Sequence, residues 1–110
     1  MRVTRQSRVL VVSSARRSEE VDVIKRIALK RGDTWLVIDS KTAELLAKEN
    51  VLEAIGAERV IVYSGRKPEE LALKIYKIVT PDIVYICDKY ELLKPIADFM
   101  KIAPVEKREC

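Results

Sequence analysis

Four short apolar runs alternate with stretches of helical length, and each run stops on small polar or acidic residues. They are Arg8 to Ser13 (RVLVVS), Trp35 to Ile38 before Asp39-Ser40, Arg59 to Tyr63 before Ser64-Gly65, and Ile83 to Cys87 before Asp88. A continuous β-branched run of this length reads as a strand covered on both faces. A strand with one wet face would alternate apolar with polar. Between the runs the apolar residues recur at helical spacing: Val23, Ile24, Ile27 and Ala28 in the first stretch, Leu45, Leu46 and Leu52 in the second. Ser18 offers an N-cap with Glu19-Glu20 in the first turn, and Gly32 stops that helix. Further helices are expected over about 41–55, over about 68–79 with Pro68 in its first turn, and over about 90–101 with a kink at Pro95.

The order β-α-β-α-β-α-β-α with short loops predicts one α/β domain over residues 1–110. It is a three-layer α/β/α sandwich on a four-stranded parallel sheet, with a fifth edge strand near Val105 as an option. Residues 1–7 read as a basic tail and 103–110 as a C-terminal tail or that edge strand. A chain of 110 residues is long enough to bury a core without staples.

Composition removes several function classes. There is no histidine, which excludes Ser-His and Cys-His nucleophile arrangements and the commonest transition-metal ligand. Two cysteines, Cys87 and Cys110, make neither a disulfide framework nor a zinc site; Cys87 reads as a buried structural thiol. No apolar run is long enough to span a bilayer and no signal peptide is legible, so a cytoplasmic protein with no membrane partner is expected. One Asn and one Gln against 35% charged residues is a thermophile pattern. The net charge of +4 is uneven. Residues 1–31 hold nine Lys or Arg against three acids, leaving twelve against fourteen beyond. That basic excess suits either a solvated stable surface or an anionic partner.

Residues 8–27 (RVLVVSSARRSEEVDVIKRI) and 59–78 (RVIVYSGRKPEELALKIYKI) align with one deletion, which predicts an internal repeat of two βαβα halves. Two such halves fit the strand order 2-1-3-4, of Rossmann or flavodoxin-like type. The first and third strands are then neighbours at the reversal of winding, where open α/β sheets bind ligands. Ser13 and Ser64 would lie about 5 Å apart there. Around them would gather Ser14, Arg16, Arg17, Ser18, Gly65, Arg66 and Lys67. Hydroxyls, cations and two helix N-termini facing one crevice make a candidate anion site. Neither a Walker A loop nor GxGxxG is present. Asp39 and Asp88 form a candidate acidic site. In the order 2-1-3-4 they stand about 14 Å apart, too far to share one metal ion. Each therefore reads first as the cap of the helix after its strand, and no metal or cofactor is expected. Tyr90, just after a strand end, is a candidate ligand contact.

Residues 68–102, with an acidic helix, an apolar strand, Asp88 and a Leu92-Leu93 helix, resemble the C-terminal part of PIN-domain nucleases. That resemblance implies metal-dependent ribonuclease chemistry on carboxylates clustered at strand ends. Asp88 and Glu44 are the positions that carry over. The acid at the end of the family's first strand is replaced here by Ser13-Ser14.

Three readings compete. The leading one is a Rossmann-like binding module for a phosphate-bearing partner, nucleotide or nucleic acid, with no catalytic residue assigned. The second is a structural or protein-interaction domain, a homodimer through a helix face. The third is a degenerate PIN-like metal-dependent nuclease.

Overall fold

The computed structural model describes residues 8–29, 34–65, 67–102 and 106–109. Its strands are β1 (Val9–Ser13), β2 (Thr34–Asp39), β3 (Val60–Tyr63), β4 (Ile83–Cys87) and β5 (Glu106–Glu109). Its helices are α1 (Ser18–Leu29), α2 (Ser40–Lys48), α3 (Val51–Ile55), α4 (Pro68–Val79) and α5 (Lys94–Ile102), with a 3-10 turn at Ala57–Arg59. All five strands run parallel, in the order β3-β2-β1-β4-β5. This is the expected α/β architecture with the fifth strand present. Val105, the expected centre of that strand, lies outside the described residues.

The order 2-1-3-4 is corrected. β1 pairs with β2 and β4, while β3 continues outward from β2 and forms an edge. The proposed pseudo-twofold between the first and third strands has no counterpart in this sheet. The resemblance between residues 8–27 and 59–78 is one of strand, polar loop and acidic helix start, and the strand order does not confirm a repeat.

Alternation along the strands sends side chains to two cores. Val9, Val11, Leu36 and Ile38 meet α1, α2 and α3 on one face. Leu10, Val12, Val37 and Val84 meet α4 and α5 on the other. Every residue of β1 is buried, as a central strand requires. With right-handed crossovers, the steps β1 to β2 to β3 place α1–α3 on one face; the return to β4 places α4 and α5 on the other. The first face of β4 and β5 is left without a helix.

Three local features differ from the sequence reading. The second helix breaks into α2 and α3 at Asn50, which takes a left-handed conformation (φ 62) that Asn tolerates better than most residues. Pro95 is the second residue of α5, so it sits in a first turn and causes no kink. Cys87 is half-buried and disulfide-bonded, which corrects the thiol reading.

Candidate functional site

The winding reverses between β1 and β4, and their carboxyl ends are joined there. The Ser14 hydroxyl donates to Asp88 Oδ1 at 2.6 Å. Asp88 also accepts from the backbone N–H groups of Leu92 (3.0 Å) and Leu93 (2.6 Å), so it caps the turn that leads into α5. Ser14 is almost fully buried. Ser13, its neighbour, is completely buried, and its hydroxyl finds no partner among the described residues.

The loop from β1 to α1 is closed by its own helix. Arg17 occupies the N-cap position, since its carbonyl accepts from Glu20 and Val21 N–H, which makes Ser18 the first helical residue rather than the cap. Glu20, at the third helical position, turns its carboxylate back. Its Oε1 accepts from the N–H groups of Arg16 and Arg17, each at 3.0 Å, and from the Tyr90 hydroxyl at 2.8 Å. This is the acidic half of a capping box. Lys89 Nζ stands 3.6 Å from Glu20 Oε2. Burial of the carboxyl works to raise its pKa, but these donors and the lysine outweigh it and hold it below the usual glutamate value. The same bond raises the Tyr90 pKa, because the neighbouring carboxylate disfavours phenolate.

On the other side of β1, the buried Thr42 of α2 staples the loop to β2. Its Oγ1 accepts from Ala15 N–H at 2.9 Å and hydrogen-bonds Asp39 Oδ1. Arg16 Nη2 meets Asp39 Oδ2 at 2.9 Å. Burial favours the neutral form of Asp39, yet Thr42 and Arg16 hold its pKa below the ordinary aspartate range.

The candidate anion residues are thus divided. Ser13, Ser14, Arg16, Arg17 and Ser18 belong to the central loop. Ser64, Gly65 and Lys67 follow β3, two strand spacings from β1, about 10 Å away. Ser13 and Ser64 are not neighbours, and the two-sided anion crevice is corrected to two separate loops. Arg66 lies outside the described residues. Asp39 and Asp88 flank β1 on β2 and β4, also about 10 Å apart rather than 14. Asp88 accepts from backbone N–H groups as a cap does, whereas Asp39 holds the N-cap position of α2 with its carboxylate taken by Thr42 and Arg16. Among the described residues no three His, Cys, Asp or Glu side chains gather as a metal site.

Sequence reasoning missed the cleft beside this loop. It has a volume of about 770 Å³ and lies on the helix-free face of β4 and β5. Val23 and Ile24 of α1 line it together with Ser14, Glu20, Asp88, Lys89 and Arg108. Arg108 donates to Glu106 at 2.8 Å and to the Tyr85 hydroxyl at 3.2 Å. The available signal was Val23, apolar beside Ile24 and yet 41% exposed on the folded chain.

No known family model matches this sequence, and neither a curated protein nor a solved structure is detectably similar to it.

Proposed function

We propose that the chain is a binding module, without catalytic chemistry, for a small ligand that joins a phosphate to an apolar group, a nucleotide being the representative. The observation that carries this reading is the cleft at the β1/β4 reversal, the usual ligand position in an open α/β sheet. Its volume of about 770 Å³ suits a small molecule. Val23 and Ile24 suit the flat apolar part of such a ligand. Lys89, 71% exposed, stands 3.6 Å from Glu20 Oε2 and keeps further ammonium donors for a phosphate. Arg108 lies on the same cleft and suits a second phosphate contact.

The phosphate is placed here rather than on the β1 loop because Glu20 already holds the Arg16 and Arg17 amides, and Arg16 is engaged by Asp39. Glycine is also absent from SSARRS, so the backbone offers no close approach for a pyrophosphate. Both Asp88 oxygens are already taken up by the Ser14 hydroxyl and the Leu92 and Leu93 amides, which suits a structural role at the end of β4.

The test is calorimetric titration of AMP, ATP and a short single-stranded oligonucleotide into three proteins: the wild type, Lys89→Ala/Arg108→Ala and Arg17→Ala. The expected result is nucleotide binding by the wild type. It weakens about tenfold, ~1.4 kcal/mol, in the double variant and changes little in Arg17→Ala. Equal nucleotide affinity in the wild type and the double variant removes the cleft. Binding of the oligonucleotide alone replaces the small ligand with a nucleic acid.

A further inference from the structure

Ser13 is completely buried, and its hydroxyl has no hydrogen-bond partner among the described residues. Such a group calls for a reason, because an unpaired buried donor destabilises the fold. Along β1 Ser13 shares a face with Val9 and Val11, the face that carries α1 and the cleft. On its β2 side the register continues to Ile38, a hydrocarbon. On its β4 side Ser13 is paired with Cys87, about 4.8 Å away across the sheet. Cys87 is half-buried, lines the cleft and is disulfide-bonded. The sequence has one other cysteine, Cys110, outside the described residues.

We propose that the disulfide at Cys87 is a reversible redox site, and that the Ser13 hydroxyl is the partner kept for the reduced sulfur. The reductant is a small dithiol or two monothiols. Its thiolate attacks the sulfur joined to Cys87, the S–S bond breaks, and Cys87 leaves as a thiolate with the bonding pair. The second reductant thiol attacks the mixed disulfide and releases the other cysteine. The protein takes up two electrons and two protons, and the reductant becomes a disulfide. In the oxidised state the sulfur beside Ser13 carries no proton and is a weak acceptor, so the hydroxyl stays orphaned. In the reduced state Ser13 donates to the thiolate or accepts from the thiol.

The surroundings permit the exchange. A half-buried sulfur on an open cleft is within reach of a small thiol. The charged groups lining that cleft are Lys89, Lys107 and Arg108 against Glu20 and Asp88. Asp88, next in sequence, directs its carboxylate to the Ser14 hydroxyl and the Leu92 and Leu93 amides. Glu20 is turned to the Arg16 and Arg17 amides, the Tyr90 hydroxyl and Lys89. Both acids are therefore engaged elsewhere as the thiolate leaves. A cross-link that served stability alone would gain nothing from this serine. Alanine at position 13 would fill the same space without an orphaned hydroxyl.

A redox titration tests this. The folded chain is equilibrated with reduced and oxidised dithiothreitol at defined ratios and then alkylated. Mass spectrometry reads the reduced fraction, with circular dichroism in parallel. The wild type should pass reversibly between the two states with an unchanged spectrum. Ser13→Ala should need about a tenfold more reducing ratio at its midpoint, a shift of about 30 mV to more negative potential. In Cys110→Ser, which removes the chain's other cysteine, Cys87 should be alkylated in the folded protein. A wild-type disulfide that opens only in urea, a chain that unfolds on reduction, a Ser13→Ala midpoint equal to that of the wild type, or a Cys87 that stays unreactive in Cys110→Ser each overturns the proposal.

Discussion

Glu20 is the residue on which the opening loop turns. Two serines, two arginines and a helix start suggest an anion site open to the outside, yet the anion is supplied from within. Its carboxylate takes the Arg16 and Arg17 amides and the Tyr90 hydroxyl, at distances of 2.8 to 3.0 Å. The pattern S-E-E was legible, but it left open whether Glu19 or Glu20 would turn back. Helical geometry decides: with Arg17 at the cap, only the third helical position reaches the cap amide. Glu20→Ala should cost about 1–2 kcal/mol in urea unfolding, the range of a lost cap. The pH dependence has a definite sign. A carboxylate whose folded pKa lies below its unfolded value stabilises the fold above that unfolded value, about 4.5 for a glutamate. That contribution is lost as pH falls through the lowered folded pKa. Glu20→Gln should therefore flatten the fall of melting temperature with acid in that window. An unchanged slope would show that the capping carboxylate does not contribute.

Among the elements, the four apolar strands β1–β4 were legible almost to the residue, because β-branched continuity and the polar stops are local, whereas the charged β5 carries neither signal. Helix ends were less so. The break at Asn50 and the late start of α5 each fall at a left-handed residue, Asn50 and Glu91, which apolar periodicity does not mark. Thr80 is the clearest. It ends α4 at φ 46, a conformation that crowds a β-branched side chain. Its hydroxyl bonds back to Tyr76 O at 3.2 Å, an exposed contact that offsets little of the crowding. Thr80→Gly should raise stability by about 0.5–1 kcal/mol, read as a higher melting temperature; a fall would mean the hydroxyl bond outweighs the backbone relief. Thr42 is the opposite case, a buried first-turn residue that ties β1, β2 and α2 together. Thr42→Val keeps the shape but strands the buried Ala15 N–H. It should cost about 1–3 kcal/mol by chemical denaturation. A loss within a few tenths of a kcal/mol would mean that water replaces the hydroxyl.

For the whole molecule, the difference between the expected and the observed order comes down to where the third strand goes. Val60, Ile61 and Val62 are as apolar as any residues of β1, so composition does not mark β3 as an edge. The repeated pattern pointed to β1 as its neighbour, but pairing follows from how α2 and α3 carry the chain outward beyond β2. Once the winding is known, the cleft follows from it. Three helices on one face and two on the other leave β4 and β5 uncovered beside α1, and an apolar residue there need not belong to the core. Binding and stability should therefore separate at this wall. Val23→Lys should leave urea unfolding within about 0.5 kcal/mol of the wild type, as a surface change does, while abolishing nucleotide binding in the cleft. Leu10→Ala, at the fully buried centre of β1, should cost about 2–5 kcal/mol. If Val23→Lys unfolds the chain as readily as Leu10→Ala does, the wall is part of the core after all, and the face left open by the winding is closed in solution.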